Sequence, residues 1–501
     1  MEFRVFRLMS KAFFRAAAAL AVLAGLFVAV NRFDKGRTPP AFDAATLPPA
    51  SLADDNGAFW LLFLGEPESE GLAIETKRET YRDWLNRLPR LERFSWMTPP
   101  QTKALGVSVW QTLESLPFPK PPGRDWPDFV RGERPRLELL RTRFAVLLRR
   151  FDVLLGCEKL ADFGYRVEWD RPFALSSFIQ AVTRFHAALR LLEGEDGRWA
   201  EAAAGLLAEF RLGERLTAAA QTMFFHNLGR SIIDISLDAM AGLMNLPGCP
   251  PETAETVLRS LPGPEESRFG LRNALIGEFL WVYERLERGD RWRQSELVLR
   301  ELFPGRPAEQ VRMSFEIMIG QRIGRENAGR LRESLFLLFL MKNRTQGYFQ
   351  DTLAWLLGLD AVLPCRWTTA ERNPPSFRSG KLWWLWNPSG RLLYDSLGPA
   401  WQKRAVERKY LAQALCDLVR ISAEIRLRFN SAAGAEGLAE RLEAFAAKDP
   451  FSGDAYVWDR KKGVLFSVGV DGKGDRGDPA TDLVLPVKLS PARGARRRRS
   501  P

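Results

Sequence analysis

Histidine and cysteine are both scarce in this sequence, which has 2 histidines and 4 cysteines among 501 residues. Two histidines exclude a metal centre built from several imidazole ligands. The cysteines are too few and too widely spaced for a disulfide framework or for a zinc site with CxxC spacing. Cys249 and Cys365 lie in loop-like settings, where one bridge could form after export to an oxidising compartment.

The sequence also lacks the common catalytic signatures. It has no Gly-x-Ser-x-Gly elbow, no Walker A loop and no dinucleotide-binding fingerprint. This favours a non-enzymatic protein and leaves a hydrolase without a local motif as the alternative. Tryptophan is abundant, with 16 residues that include Trp383, Trp384 and Trp386. We interpret them as core residues rather than as platforms for sugars or nucleobases.

Basic residues outnumber acidic residues by 73 to 61, but the excess is concentrated at the two ends of the chain. The body between the ends is close to neutral. Nucleic-acid binding needs a basic face on a folded domain, so it is not the favoured interpretation. We predict a disordered basic tail at residues 491–501, with contact to phosphates or acidic headgroups as the alternative. The arginines of this tail are Arg493 and Arg496 to Arg499.

The N-terminus has the residue order of an export signal, in which basic residues precede an uncharged apolar run. We predict a basic cytoplasmic segment at 1–11, a transmembrane signal anchor at 12–30 in the bacterial inner membrane, and a Pro-rich linker at 31–52. Small residues are missing where a signal peptidase would cut, so an anchor is favoured over a cleaved signal and a secreted protein. The remaining chain is expected in the periplasm, because no later run is long enough for a second span. The basic residues are Arg4, Arg7, Lys11 and Arg15.

Residues 53–448 have mainly helical spacing of apolar side chains. One example is the stripe of Leu411, Leu415, Leu418 and Ile425. Proline- and glycine-containing breakers divide the helices, and no fixed repeat period is present. We therefore predict a mainly α fold with one large, irregular α-helical extracytoplasmic domain.

The pattern changes at residues 449–490, which we predict to form a small β module. Two strand-like runs, Tyr456–Trp458 and Val464–Val468, flank a basic turn and indicate a β-hairpin. A loop rich in glycine and aspartate follows. Because Ca²⁺ prefers clustered oxygen ligands, this loop is a candidate metal site, with a solvated acidic turn as the alternative. Its carboxylates are Asp471, Asp475, Asp478 and Asp482.

The Asp449-Pro-Phe-Ser-Gly segment, the strand pair and the turn from Leu465 to Gly472 together resemble the C-terminal module of type II secretion major pseudopilins. In that family the module holds a calcium ion. The resemblance covers a small part of the chain, and the N-terminal segment lacks the pseudopilin cleavage motif, so filament assembly is not implied. The resemblance implies calcium ligation by the side chains of Asp471 and Asp478, with the carbonyl of Val468 nearby and Asp475 or Asp482 in support.

Both histidines are interpreted as structural. His226, Arg230, Asp234 and Asp238 recur at every fourth position and form one polar stripe on a helix. His226 and Asp234 are two turns apart, about 12 Å along the axis, which is too far for a hydrogen bond. The predicted pair on this stripe is therefore Arg230 with Asp234. His186 has no nearby carboxylate in the sequence and is interpreted as a packed or solvated histidine.

These features predict an inner-membrane-anchored periplasmic protein with a non-enzymatic interaction or scaffold role in the envelope or in secretion. Its expected contacts are the membrane, through the N-terminal helix, and envelope proteins of unknown identity. The alternative is a periplasmic hydrolase that acts on an envelope polymer. Two further segments, Asp55–Trp60 and Asn387–Leu393, are similar to those of membrane-anchored bacterial envelope proteins.

Overall fold

The computed structural model describes nine stretches of the chain and six single positions. The predicted segments 1–11, 12–30 and 491–501 lie outside the described residues, as does nearly all of the linker 31–52. Within the described part of the chain, no helix is both long and apolar enough to cross a membrane. The described residues are 106–119, 126–162, 172–263, 270–288, 342–368, 399–428, 447–459, 461–475 and 477–488, with positions 47, 48, 58, 61, 64 and 372.

The described residues are mainly helical, as predicted. They form ten α-helices, one short 3₁₀ turn at Pro364–Arg366 and three β-strands. The helices are α1 (Gly106–Glu114), α2 (Trp126–Arg143), α3 (Ala145–Gly156), α4 (Pro172–Glu195), α5 (Trp199–Ala219), α6 (Met223–Asn245), α7 (Pro251–Ser260), α8 (Arg272–Arg288), α9 (Lys342–Asp360) and α10 (Pro399–Arg428). The strands are β1 (Val457–Asp459), β2 (Val464–Ser467) and β3 (Leu483–Pro486).

Two compact units divide the chain. The smaller unit takes its described residues from Phe279–Leu357 and Thr369–Lys403. The larger unit takes them from Ala44–Glu278, Gly358–Thr368 and Arg404–Pro501. The larger unit is therefore assembled from three separate stretches of sequence.

The core of the larger unit is the packing of α4, α5 and α6. Helix α6 is apolar around most of its circumference, and 18 of its residues are buried, which is the pattern of a central helix. Burial of each large side chain, such as Phe185, Phe210 or Phe225, stabilises the fold by about 1.5–3 kcal/mol. Helices α5 and α6 come closest at Gly213 and Gly229, where a Cβ on Gly213 would lie 2.6 Å from the carbonyl oxygen of Gly229.

Local capping explains where α6 begins. Its N-cap residue Thr222 accepts a hydrogen bond from the backbone N–H of Phe225 through its hydroxyl oxygen, at 3.3 Å. The buried carboxylate of Asp162 accepts hydrogen bonds from the N–H groups of Gln221 and Thr222, at 2.8 and 2.9 Å. These acceptors satisfy backbone donors that a buried helix start would otherwise leave without partners.

The C-terminal sheet is antiparallel and has the order β1-β2-β3. Strands β1 and β2 form the predicted hairpin, in which Val457 pairs with Phe466. The third strand was not predicted; it pairs with β2 so that Leu465 lies opposite Leu485. The predicted hairpin is therefore two thirds of a three-stranded sheet.

Asp449 holds the start of this module in place. Its carboxylate accepts hydrogen bonds from the N–H groups of Phe451 and Val468 and from the hydroxyl of Ser467, at 2.9–3.0 Å. The Asp-Pro-Phe-Ser-Gly turn is thereby fastened to the end of β2. Burial raises the pKa of the Asp449 carboxyl, although these three donors oppose the shift.

Hydrogen bonds also join the sheet to helices of the same unit. Asn245, the last residue of α6, donates to the carbonyl of Pro486 at 2.8 Å and accepts from the N–H of Lys488 at 2.9 Å. The Tyr456 hydroxyl donates to Asp417 of α10 at 2.9 Å. Both contacts connect residues of the sheet region to the helical core.

In the smaller unit, the second half of α8 contacts α9. The side-chain amide of Gln346 donates to the carbonyl of Tyr283 at 3.4 Å, and the rings of Phe279 and Tyr283 are 5.8 Å apart. Leu286 and Phe349 are among the buried side chains. The local core is therefore aromatic and aliphatic.

All four cysteines are free thiols, so the bridge considered between Cys249 and Cys365 is not formed. Burial raises the pKa of Cys249 to about 11, which keeps this thiol protonated and unreactive at neutral pH. Cys416 is buried on α10.

Candidate functional site

Helix α4 carries a polar stripe formed by His186, Arg190 and Glu193, at positions i, i+4 and i+7. On a helix these spacings place side chains on one face. His186 is buried, with 1% of its surface exposed, and Glu193 is nearly as buried, at 3%. Buried charged groups need partners, so the neighbouring helices must supply them.

His186 has a carboxylate on each side. Its Nδ1 contacts Oε1 of Glu209, a fully buried residue of α5. Its Nε2 lies 3.3 Å from Oδ1 of Asp152 on α3. The ring of Phe151 packs edge-on against the imidazole, with centroids 5.1 Å apart. His186 is therefore packed, one of the two predicted alternatives, and its carboxylate partners come from other helices rather than from nearby positions in the sequence.

Arg190 decides the tautomer of His186. Its guanidinium donates to Nε2 of His186 at 2.8 Å and to Oδ1 of Asp152 at 3.2 Å, both through Nη2. A guanidinium can only donate, so Nε2 accepts, and the ring proton lies on Nδ1, where it is donated to Glu209. Gly205 leaves room for this arginine, since a Cβ there would lie 2.6 Å from Cδ of Arg190.

The electrostatics of the cluster favour retention of a proton. Burial alone would lower the pKa of His186, but the hydrogen bonds to Asp152 and Glu209 outweigh it and raise the pKa. Burial raises the pKa of Glu209, and the contact with His186 only partly opposes this shift. For Asp152, burial would raise the pKa, but His186 and Arg190 lower it. The His186 and Glu209 pair therefore holds its proton more strongly than the separate groups would.

A pocket of about 230 Å³ opens beside this cluster. Its lining comes from α2, α3 and α4 and combines cationic, anionic and apolar side chains. His186 is one of its lining residues, with Nε2 on the side of Asp152 and Arg190. The order carboxylate, Nδ1, imidazole, Nε2 is that of a general base. Nε2 already accepts from Arg190 at 2.8 Å, so it could take a proton from a bound molecule only after Arg190 had moved away. The charged lining residues other than His186 are Arg141, Arg149, Asp152, Arg190 and Glu193.

Comparison with known proteins supplies no template for this pocket. The chain matches no protein-family model, no curated protein and no solved structure. The chemistry of the site must therefore be judged from the geometry of its own side chains.

Sequence reasoning missed this site because it considered only partners on the same helix. A usable signal was present in the apolar patterns of two adjacent helices. His186 interrupts the apolar stripe of α4 beside Val182 and Leu189, and Glu209 interrupts that of α5 beside Leu206. Two polar residues on apolar faces of consecutive helices indicate a buried pair.

The predicted polar stripe on α6 is present, and its predicted ion pair is confirmed. Nε of Arg230 donates to Oδ1 of Asp234 at 3.1 Å. His226 forms no hydrogen bond with Asp234; it is buried, its Nδ1 has no partner, and burial together with Arg230 lowers its pKa to about 3. This histidine is therefore neutral at physiological pH.

Asp238, the last residue of the stripe, has a partner on α2. Its Oδ2 accepts a hydrogen bond from the indole Nε1 of Trp126 at 2.7 Å. Burial raises the pKa of Asp238 to about 7, and the Trp126 hydrogen bond only partly opposes the shift. The stripe therefore joins helices and does not form a catalytic triad.

The predicted calcium loop is organised around Asp482. This carboxylate is buried and accepts hydrogen bonds from the N–H groups of Gly477, Asp478 and Asp475, at 2.8, 3.1 and 3.5 Å. Asp471 accepts from the N–H two residues further along the loop, and so does Asp478. The aspartates thus bind the backbone of their own loop.

These carboxylates do not converge on one point. In the described part of the chain, no group of three or more His, Cys, Asp or Glu side chains is arranged to hold a metal ion. The N–H of Val468, whose carbonyl was a predicted ligand, donates to Asp449 at 2.9 Å. The ligand set implied by the pseudopilin resemblance is not assembled here, and calcium binding stays a prediction.

Proposed function

We propose that this protein is a single-pass protein of the bacterial inner membrane, with its larger unit in the periplasm, where it acts as a non-enzymatic interaction or scaffold protein. The location is supported by the basic residues that precede the uncharged run 16–30 and by the proline-rich segment that follows. The role is supported by the ion pairs that buried charged groups of the larger unit form between helices.

The observation that carries the scaffold role is the ion-pair network around α4. Glu193 binds Arg190 at 2.9 Å and Arg141 at 3.1 Å, so it joins α4 to α2. His186 joins α4 to α5 through Glu209. Hydrogen-bonded networks of buried polar groups favour a single arrangement of the helices that they join. Three helices, α2, α4 and α5, are joined in this way, and a scaffold needs such a fixed arrangement to present a surface.

Location is tested by labelling an exposed cysteine with a membrane-impermeant maleimide. Leu139 is 68% exposed, so Leu139→Cys adds an accessible thiol to the full chain. We expect labelling above the parent protein in intact spheroplasts, and retention in the membrane fraction after carbonate extraction. A chain without residues 1–30 is the control and should be labelled only after lysis. Labelling of Leu139→Cys only after lysis would contradict the proposal.

A hydrolase is the second candidate, and the Glu209 and His186 pair is the observation that favours it. The pair has the order of an orienting carboxylate and a general base, which would activate a water molecule once Arg190 had released Nε2. The pocket, at about 230 Å³, suits a small group better than a polymer chain. Incubation with purified cell-wall polymer separates the two functions. A hydrolase releases new chain ends in a reaction that His186→Gln abolishes, and a scaffold releases none.

A further inference from the structure

The charged residues that line the His186 pocket differ in whether they form ion pairs within the protein. Glu193 is buried and contacts three arginines, Arg141 and Arg190 within 3.1 Å and Arg198 at 3.5 Å. The negative charge of Glu193 is therefore balanced by arginines of the protein itself. Arg149 is exposed, lines the same pocket and forms no ion pair with the described residues.

Asp152 is the one lining carboxylate that is open to solvent, with 52% of its side chain exposed. It reaches Nη2 of Arg190 at 3.2 Å and Nε2 of His186 at 3.3 Å through the same oxygen. A half-exposed ion pair of this kind contributes little stability, so its carboxylate can be replaced at small cost. Asp152 therefore occupies the position that an external carboxylate or phosphate oxygen would take.

We propose that this pocket binds a small oxyanion, a carboxylate or a phosphate group, which replaces Asp152 at Arg190 and is also contacted by Arg149. Two guanidinium groups offer paired N–H donors that match the oxygens of either anion. His186 supplies a further contact in the pocket. When its imidazole is protonated, Nε2 no longer accepts from Arg190 and becomes a donor, and the ring adds a positive charge beside the anion.

The charges that face His186 make the binding pH-dependent. They are Asp152 from α3, Arg190 and Glu193 from α4, Glu209 from α5, and the more distant Arg141 from α2 and Arg149 from α3. Binding of acetate, which stays ionised near neutral pH, therefore tightens as the pH falls and His186 becomes protonated, and His186→Gln removes this dependence. Phosphate gains a proton itself in this range, so acetate is the probe for the pH dependence.

The test is calorimetric titration of the full chain, in a non-ionic detergent, with inorganic phosphate and separately with acetate. We expect saturable binding of at least one of the two anions. Asp152→Asn removes the competing carboxylate and should tighten binding about tenfold, which corresponds to about 1.4 kcal/mol. Arg149→Gln should weaken binding by a similar factor. Preference for phosphate or acetate distinguishes the two kinds of oxyanion.

Two further variants separate specific binding from general attraction to a basic surface. Arg143→Gln is the matched control, because Arg143 lies on α2 outside the pocket and contacts the ring of Phe144. It should leave the affinity unchanged. Gly205→Ala changes no charge but moves Arg190, and it should weaken binding. The proposal is overturned if folded Asp152→Asn protein binds neither anion, or if Arg143→Gln and Arg149→Gln weaken binding equally.

Discussion

At the scale of single residues, the main feature of this protein is the number of ionisable groups in its helical core. His186, Glu209, His226 and Asp238 are all buried. Each would cost several kcal/mol if it were charged and unpaired. The structure limits this cost either by pairing the group, as for His186 with Glu209, or by shifting its pKa so that it stays neutral, as for His226.

Asp238 makes the stability of the fold depend on pH. The pKa of Asp238 is about 7 in the folded protein, against an ordinary value of 3.8, which we take for the unfolded chain. Between these pH values the folded protein therefore binds more protons than the unfolded chain. Stability from this group therefore falls as pH rises from about 4 to 7, by up to about 1.4 kcal/mol per pH unit. Asp238→Asn keeps an acceptor for Trp126 and should remove this slope in urea unfolding followed by circular dichroism.

The control for this measurement is Asp128→Asn, whose carboxylate is 63% exposed. It should leave the pH profile of the unfolding free energy unchanged. His226 acts in the opposite direction, since its lowered pKa removes stability as pH falls from 6.5 towards 3. The contribution of Asp238 is therefore measured as the difference between the pH profiles of the unfolding free energy of the parent and of Asp238→Asn. Equal profiles would contradict the raised pKa of Asp238.

Contacts within one helix could be predicted from the sequence, and contacts between helices could not. The pair of Arg230 and Asp234 follows from a spacing of four residues, which fixes their separation on any helix. Glu209 and Asp152 are 23 and 34 positions from His186, so their approach depends on how three helices pack. Periodicity identifies which face of a helix is buried, but not which neighbour covers it.

At the scale of elements, the crossing of α5 and α6 depends on two glycines. A Cβ on Gly229 would lie 2.7 Å from the carbonyl oxygen of Gly213 and 2.8 Å from Cβ of Leu216. Real Cβ atoms do not approach backbone so closely, so the two helices would have to move apart. Neither glycine stood out in the sequence, because a glycine inside a helical pattern does not reveal what approaches it.

Gly229→Ala should therefore destabilise the larger unit by about 1–3 kcal/mol, the usual cost of overpacking. Gly132→Ala is the matched control, since Gly132 is also helical but has no atom within 4 Å of its added Cβ. That variant should gain about 0.4–1 kcal/mol through lower entropy of the unfolded chain. Denaturant unfolding measures both, and a neutral or stabilising Gly229→Ala would disprove the close crossing.

The sheet shows a similar limit of prediction at the element scale. The hairpin of β1 and β2 was predicted from two alternating runs around a short turn. The third strand, Leu483–Pro486, is only four residues long and ends in proline, so it has little signal of its own. Its pairing with β2 depends on the loop that Asp482 organises.

The loop gives a prediction that does not depend on metal. Asp482→Asn removes the negative charge and leaves one neutral acceptor oxygen for three N–H groups, so it should cost about 1–3 kcal/mol in the presence of EDTA. Asp475→Asn, at an exposed side chain, should change stability by less than about 0.5 kcal/mol. Equal effects of the two variants would show that Asp482 does not hold the loop.

Calcium is tested in the same unfolding experiment, since a bound ion requires a saturable rise in Tm that Asp471→Asn abolishes.

At the scale of the whole molecule, the larger unit is discontinuous, and its C-terminal sheet is bonded to α6 and α10. These contacts make the sheet part of the body rather than an appendage. The mainly helical fold and the hairpin could be predicted from the sequence, and so could the start of the β module near residue 449. The division into two units could not, because it depends on which distant segments pack together.

This discontinuity has a consequence for synthesis. The side-chain amide of Asn245 donates to the carbonyl of Pro486, which is 241 positions further along the chain. A chain made from its N-terminus must expose the end of α6 without this partner until residues 483–488 have emerged. Contacts of such long sequence separation also form slowly. The sheet is therefore expected to pack against the helices last. The larger unit should remain accessible to proteases and chaperones until β3 has been translated.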